Sequence, residues 1–353
     1  MKTLRYIIFL TLITTWAACQ KDVPLTEPEP KPATPYTLEI PAGFPQINIP
    51  SDNPMTVEGI ALGRKLFYDK ILSKNNAQSC GSCHNQAHAF SDNGKVFSTG
   101  ADGSIGTRNA QALINLGFNR HFFWDGRVTT LEKLALEPVK NPVEMHQSWA
   151  TSAAKINARP DYVIDFKAAF GNKEIDSSLV VKVLAQFMRT MISSNSRFDK
   201  YVRHEIALTS SELNGFVIFN TERADCFHCH NLDGGFLITD NLFHNNGLDT
   251  EFADQGLGAI TGSPFDAGKF LTPTLRNVAL SAPYMHDGRF ATLEAVINHY
   301  NTGGEASLTV DPLMKHVGTG LNLSAQERAD LLAFLHTFTD EDFINDAQFS
   351  APD

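Results

Sequence analysis

The chain has 353 residues, 42% of them hydrophobic and 19% charged, the balance of a folded protein and a length that exceeds the usual single core. A formal net charge of −10 disfavours nucleic acid as a partner and suits steering of a basic protein at low salt, beside its plain use in solubility. Five cysteines are present, four of them in two close pairs, which turns attention to what the pairs bind.

The N-terminus reads as an export leader over 1–18: Lys2 and Arg5, an apolar run from Ile7 to Trp16, then Ala17-Ala18. The run is too short to span a bilayer, and no other stretch is long enough. Cys19 after two alanines has the form of a lipoprotein processing site, so membrane contact is expected only through a lipid on Cys19. Residues 19–46 follow as a tether, with Pro24, Pro28, Pro30, Pro32 and Pro35 favouring extended, poorly packed chain to about Tyr36.

Cys80-Gly81-Ser82-Cys83-His84 then presents two thiols three apart with a histidine directly after, the attachment pattern of a c-type haem. It recurs at Cys226-Phe227-His228-Cys229-His230, so two haems are expected, with His84 and His230 as proximal iron ligands. A zinc site would bring two pairs together, and a redox-active CxxC needs no histidine; neither accounts for a histidine after both pairs. With one cysteine for a lipid and two for each haem, none remains for a disulfide.

Around these motifs the sequence repeats itself at the scale of a domain. Each copy opens with Gly and Phe four apart, Gly63 and Phe67, then Gly215 and Phe219, the second behind a Thr209–Glu212 capping box. After each CxxCH comes an Arg-Asn pair and an Asp-Gly-Arg turn: Arg108-Asn109 leads to WDGRVTTLEKLA, and Arg276-Asn277 to HDGRFATLEAVI. Each copy closes on an amphipathic helix, with an apolar stripe of Leu179, Val180, Val183, Leu184, Phe187, Met188 and Met191 in the first. Leu331, Leu332, Leu335 and Phe338 form its twin, behind a Ser324–Glu327 capping box. The expected fold is mainly α, two cytochrome c-like haem domains related by internal duplication, over 47–200 and 201–345 with a boundary near Asn195–Thr209.

These motifs together resemble the bacterial di-haem cytochrome c peroxidases and their relative that matures a tryptophan-derived quinone in methylamine dehydrogenase. The resemblance runs from about Ile47 to Phe343 through both CxxCH motifs, FWDGR at Phe123–Arg127, PVKNPVEM at Pro138–Met145 and LRNVALSAPYMHDGR at Leu275–Arg289. It implies a peroxidatic N-terminal haem and an electron-transfer C-terminal haem. Hydrogen peroxide would be reduced with electrons from a small exported cytochrome c or cupredoxin. It also implies a periplasmic or cell-envelope location and leaves room for a homodimer.

By the same resemblance Glu144, 20 residues after Trp124, is the acid/base that moves a proton between the peroxide oxygens, and Trp124 is the bridge between the haems. Many relatives carry a ligand histidine 16 or 17 residues past the first CxxCH; here Ser98–Gly103 has none, which implies an open iron needing no reductive activation. His88 stands too close to His84 to reach the opposite face and reads as a surface or propionate-contacting residue. Relatives often place glutamine four residues before the proline of PVKNPVEM, where this chain has Leu134.

At the second haem, Leu293, Val296, Ile297 and Tyr300 share one helical face, so Tyr300 rather than His299 aims inward. A tyrosine there is similar to the cofactor-maturing relative; His299, Met285 and Met314 stay as rivals. The resemblance implies a Ca2+ between the domains, held by the Asn109 side chain and the carbonyls of Ser281 and Pro283, against the alternative that Asn109 caps a turn. Two further readings stand beside peroxidase: a di-haem protein oxidase acting on tryptophan of a partner, and a non-catalytic electron-transfer protein.

Overall fold

The computed structural model describes residues 31–92, 94–232 and 237–352. The leader, Cys19 and residues 20–30 lie outside the described residues, and no described helix is long and apolar enough to cross a membrane.

The fold is mainly helical. The first half runs α1 (Val57–Tyr68), α2 (Cys80–Cys83), α3 (Leu131–Lys140), α4 (Trp149–Asn157), α5 (Pro160–Phe170) and α6 (Ser177–Thr190). The second runs α7 (Arg197–Val202), α8 (Ser210–Phe219), β1 (Phe243–His244), α9 (Gly258–Thr261), β2 (Phe270–Leu271), α10 (Leu293–Thr302) and α11 (Ala325–His336). A last short helix, α12 (Glu341–Asn345), follows. The two strands pair antiparallel, Phe243 opposite Leu271, and long loops fill the rest.

Each half is organised by one close helix crossing. A Cβ built on Gly63 of α1 would meet the Val183 carbonyl of α6 at 2.0 Å, and one built on Gly215 of α8 would meet the Asp330 carbonyl of α11 at 2.0 Å. Glycine is therefore required at both crossings, because any side chain would drive the backbones apart. The expected stripe of α6 is fully inside, Val180, Val183, Phe187 and Met191 all at 0% exposure. In α11, Leu331 and Leu335 are buried while Leu332 packs half-buried at the margin. The capping boxes at Thr209–Glu212 and Ser324–Glu327 form in both directions.

Two apolar cores result. One gathers α1, α3 and α6; the other spans Phe198 to Phe338 around α8, α10 and α11. Phe343 and Phe349, late in the sequence, pack into the first core and not the second. Part of the stretch read as tether also docks. The Tyr36 amide donates to the Met55 carbonyl at 3.0 Å, and Phe44 lies 9% exposed against the Phe118 ring. An aromatic side chain at position 44 has apolar surface to hide, which a proline count alone does not register.

At the seam a buried polar cluster joins the halves. One Asp340 oxygen accepts from Ser193 Oγ at 2.8 Å and from the amides of Ser194 and Asn195 at 2.9 Å each. Asn277 Nδ2 donates to Ser193 Oγ at 3.0 Å, and the Asn115 amide group holds the Ser193 carbonyl from the first half.

Gly63→Ala and Gly215→Ala should each lower stability by about 1–3 kcal/mol despite alanine's better helix propensity. Thermal unfolding of the holoprotein checks this; a rise in melting temperature would contradict the close crossing.

Candidate active site

Both attachment motifs fold as a single tight turn. Ser79 and Ser82 cap α2 reciprocally, and the His84 amide donates to the Cys80 carbonyl at 2.9 Å. In the second motif the His230 amide donates to the Cys226 carbonyl at 3.0 Å. That turn sets two thiols and one imidazole on neighbouring positions. Gly81 fits because a Cβ there would stand 2.5 Å from the Tyr68 ring.

Each histidine has one ring nitrogen committed. His84 Nδ1 pairs with the Phe90 carbonyl at 2.7 Å, and His230 Nδ1 with the Ile238 carbonyl at 3.3 Å. A carbonyl only accepts, so Nδ1 carries the proton and Nε2 keeps its lone pair for a metal. Burial lowers the proton affinity of both rings, His230 to about 4, which keeps them neutral as an iron ligand must be. The thiols move the other way: burial pushes Cys80 and Cys226 up to about 12 and Cys83 to about 11. Thiols raised in this way argue against a redox-active pair, which needs a stabilised thiolate.

Each motif opens on a cavity. The first, about 1020 Å³, is walled by Cys80, Cys83, His84, Leu184, Met188 and Glu144 among others. The second, about 310 Å³, is walled by Cys226, Cys229, His230, Ile297, Tyr300 and Leu331 among others. Apolar walls, paired thiols and a histidine with a free Nε2 together fit c-type haem in both places.

Glu144 reaches the first cavity from the turn after α3. Its Oε1 accepts from Asn141 Nδ2 at 2.6 Å, and desolvation raises its pKa above the ordinary 4.5, opposed by Asn141 and Arg127. The Ala101 amide donates to the Glu144 carbonyl at 2.7 Å, and a Cβ on Gly100 would stand 2.4 Å from the Val143 carbonyl. Asp102 pairs with Lys74 at 2.9 Å and with His146 at 2.5 Å. The 98–103 loop is thus fastened to the turn that carries Glu144. His88 lines neither cavity, while Leu134 lines both.

Trp124 belongs to the walls of both cavities. Its Nε1 donates to the Asn109 carbonyl at 2.9 Å, and its own carbonyl accepts from the Leu271 amide at 2.9 Å. Asn109, Ser281 and Pro283, the expected calcium ligands, all line the second cavity. Asn109 Nδ2 is engaged by the carbonyls of Lys95 and Val96 at 3.1 and 3.2 Å, which leaves Oδ1 as the atom that can face a cation.

On α10 the inward face divides as helical spacing requires. Leu293 and Ile297 are buried, and Tyr300 lines the second cavity with its hydroxyl accepting from Asn246 Nδ2 at 3.1 Å. Burial pushes the phenol up to about 12. His299 is tied instead to the Asn246 carbonyl through Nε2 at 2.9 Å and does not line that cavity; Met285 and Met314 do.

Several wall residues carry no local signal in the sequence. Phe270 and His286 stack at 3.7 Å and 12° on the wall common to both cavities. Arg108 joins Asp125 at 2.6 Å to Asp254 at 2.6 and 2.7 Å, and His244 is held between Asp240 at 2.8 Å and Asp311 at 2.6 Å. The repeat itself hints at some of them: Arg108 and Asp125 lie in its Arg-Asn and Asp-Gly-Arg stations, and His286 occupies in HDGR the place of Trp124 in WDGR.

Helical halves, twin CxxCH turns over two cavities and one shared aromatic wall define a di-haem c-type cytochrome. The profile described as di-haem cytochrome c peroxidase matches residues 57–207. MauG, a methylamine utilization protein of Methylorubrum extorquens, is 36% identical over 296 residues, covering 83% of this chain and 81% of that protein. The cytochrome-c peroxidase IdrP1 of a Pseudomonas strain is 32% identical over 332 residues, covering 84% and 85%. A crystal structure of a MauG-like protein associated with microbial copper homeostasis superposes with a TM-score of 0.84 at 38% identity, over 90% of this chain and 99% of that one. The chain belongs to the di-haem cytochrome c peroxidase and MauG family, and two c-type haems are its cofactors.

The double variant Cys226→Ala/Cys229→Ala should retain one covalent haem per chain and Cys80→Ala/Cys83→Ala the other, read by haemochrome absorbance. Retention of two haems by either would remove the corresponding attachment site.

Proposed function

We propose that the protein is an exported peroxidase that reduces hydrogen peroxide to water (H2O2 + 2 e− + 2 H+ → 2 H2O) with electrons from a small cytochrome c or cupredoxin entering at the second haem. The observation that carries this is Glu144: a carboxyl with raised proton affinity in the cavity that holds Cys80, Cys83 and His84. The haems supply the iron that takes peroxide and the store for its second electron. Asn141 donates to Oε1, so in the neutral acid the proton resides on Oε2. As carboxylate, Glu144 takes the proton of incoming peroxide; as acid, it returns one to the departing oxygen. Trp124, on both cavity walls, is the residue through which the second site serves the first.

The loop fastened at Ala101 and Asp102 favours a first site that needs no reductive rearrangement. Ca2+ at Asn109, Ser281 and Pro283 would stiffen the seam. Export, the lipid on Cys19, the cell-envelope location and a duplicated ancestry rest on sequence pattern, the last also on the matched Gly63 and Gly215 crossings.

A second reading, oxidation of tryptophan on a partner protein, is favoured by one feature. Tyr300 places a buried phenol in the cavity of His230, where an anionic ligand would favour more oxidised iron. Tyr300→Phe should then alter the second haem's absorption spectrum and raise its midpoint potential; an unchanged spectrum and potential would remove Tyr300 as a ligand.

Glu144→Gln should reduce peroxide turnover by about 100-fold or more while both haem potentials stay in place. Because desolvation raises the carboxyl's pKa, the carboxylate is lost as pH falls through a value above 4.5, and kcat/KM should decline there in the native protein. Full turnover by the glutamine variant would leave an electron carrier as the better reading.

A further inference from the structure

The two proximal histidines are not held alike, and the difference traces to residues far away in sequence. In the first site the accepting carbonyl belongs to Phe90, a side chain at 0% exposure whose backbone has φ +58°, directly after Ala89 at φ +54°. Two successive non-glycine residues in the left-handed region are strained and persist only where their surroundings fix them. Phe343 supplies part of that surrounding: its ring packs on Phe90 at 5.6 Å and on Phe349 at 5.3 Å, inside the first core.

The segment 341–350 is fastened to the first half beyond these rings. Arg64 donates to the carbonyls of Ser350 and Ala347 at 2.7 Å each, and Tyr68 Oη to the Phe349 carbonyl at 2.5 Å. Gln86, two residues past His84, donates to the Asp346 carbonyl at 2.8 Å. The second site has the same plan, with Ile238 at φ +56° as acceptor. Its described core is drawn from residues 198–338 alone, and its histidine-to-carbonyl separation is 3.3 Å against 2.7 Å in the first.

We propose that residues 341–350 form a strap that positions the proximal ligand of the first haem, pressing Phe90 so that its carbonyl grips His84 Nδ1. Phe343 and Arg64 are positioning residues in this role. A shorter Nδ1–H···O bond makes the imidazole a more basic ligand, which favours the more oxidised iron. The strap thereby lowers the first haem's reduction potential by a contribution the second haem lacks. This rests on His84 as the iron ligand and not on peroxide turnover, since every readout below is taken without peroxide.

The test uses the two-haem holoprotein and the variants Phe343→Ala, which removes the ring, and Arg64→Ala, which frees the strap without opening the core. Midpoint potentials are measured by spectroelectrochemistry, each haem assigned against the one-haem cysteine variants, with the iron–histidine stretch read by resonance Raman on reduced protein. Both variants should shift the first haem's reduction equilibrium about tenfold toward the reduced form, or 59 mV for one electron. Its iron–histidine band should fall in frequency while the second haem stays in place. Equal shifts at both haems, or none at either in protein that holds two haems, would overturn the proposal. Should Phe343→Ala fail to retain two haems, Arg64→Ala decides alone.

Discussion

A single buried carboxylate, Asp340, settles how the two halves face each other. Three donors from Ser193, Ser194 and Asn195 converge on one of its oxygens, while its own amide donates to Asn277 Oδ1 at 2.7 Å. Left without those partners, a carboxylate at 2% exposure would be costly, so the cluster holds as a unit or not at all. Asn115 and Asn277 reach it from the two halves, each from left-handed backbone, and their amides meet the ends of the two closing helices at Met191 and Phe338. The wall between the cavities, with Trp124 in it, is tied across the halves as well, by the Leu271 amide on the Trp124 carbonyl and the Asn109 amide on the His286 carbonyl.

Similar scaffolds then carry dissimilar interiors. The first cavity is the larger and holds the desolvated Glu144, with the 98–103 loop clamped alongside. The second is smaller and brings Tyr300, Met285 and Met314 to the wall beside His230. Charge follows the same division: Arg108 and Arg127 bracket Asp125 near the first cavity, whereas the second has His244 between two aspartates. The family likeness covers both peroxidases and MauG proteins, and these interiors contain features on which either chemistry could draw.

What the sequence made legible was local. Thiol and imidazole spacing in CxxCH is chemistry confined to five residues, and the α6 stripe is periodicity confined to one helix. The same helical arithmetic puts Tyr300 and not His299 on the cavity side of α10, and the structure has them so. Contacts between distant segments left no such mark. The Arg108–Asp254 pair spans 146 positions, the Phe270–His286 stack joins a strand to a turn, and Phe343 sits in the core of the other half. Prolines up to Pro35 suggested loose chain, yet Phe44 nine residues on found an apolar seat, because burial depends on what is nearby in space.

The bond from Arg64 to Ser350 closes a loop of 286 positions, and so bears on the order in which the molecule is finished. As the polypeptide emerges, Cys80 and Cys83 are available long before the residues that back their pocket have been made. Covalent capture of the porphyrin at that stage would precede closure, and the late-arriving segment would seal a cofactor already in place.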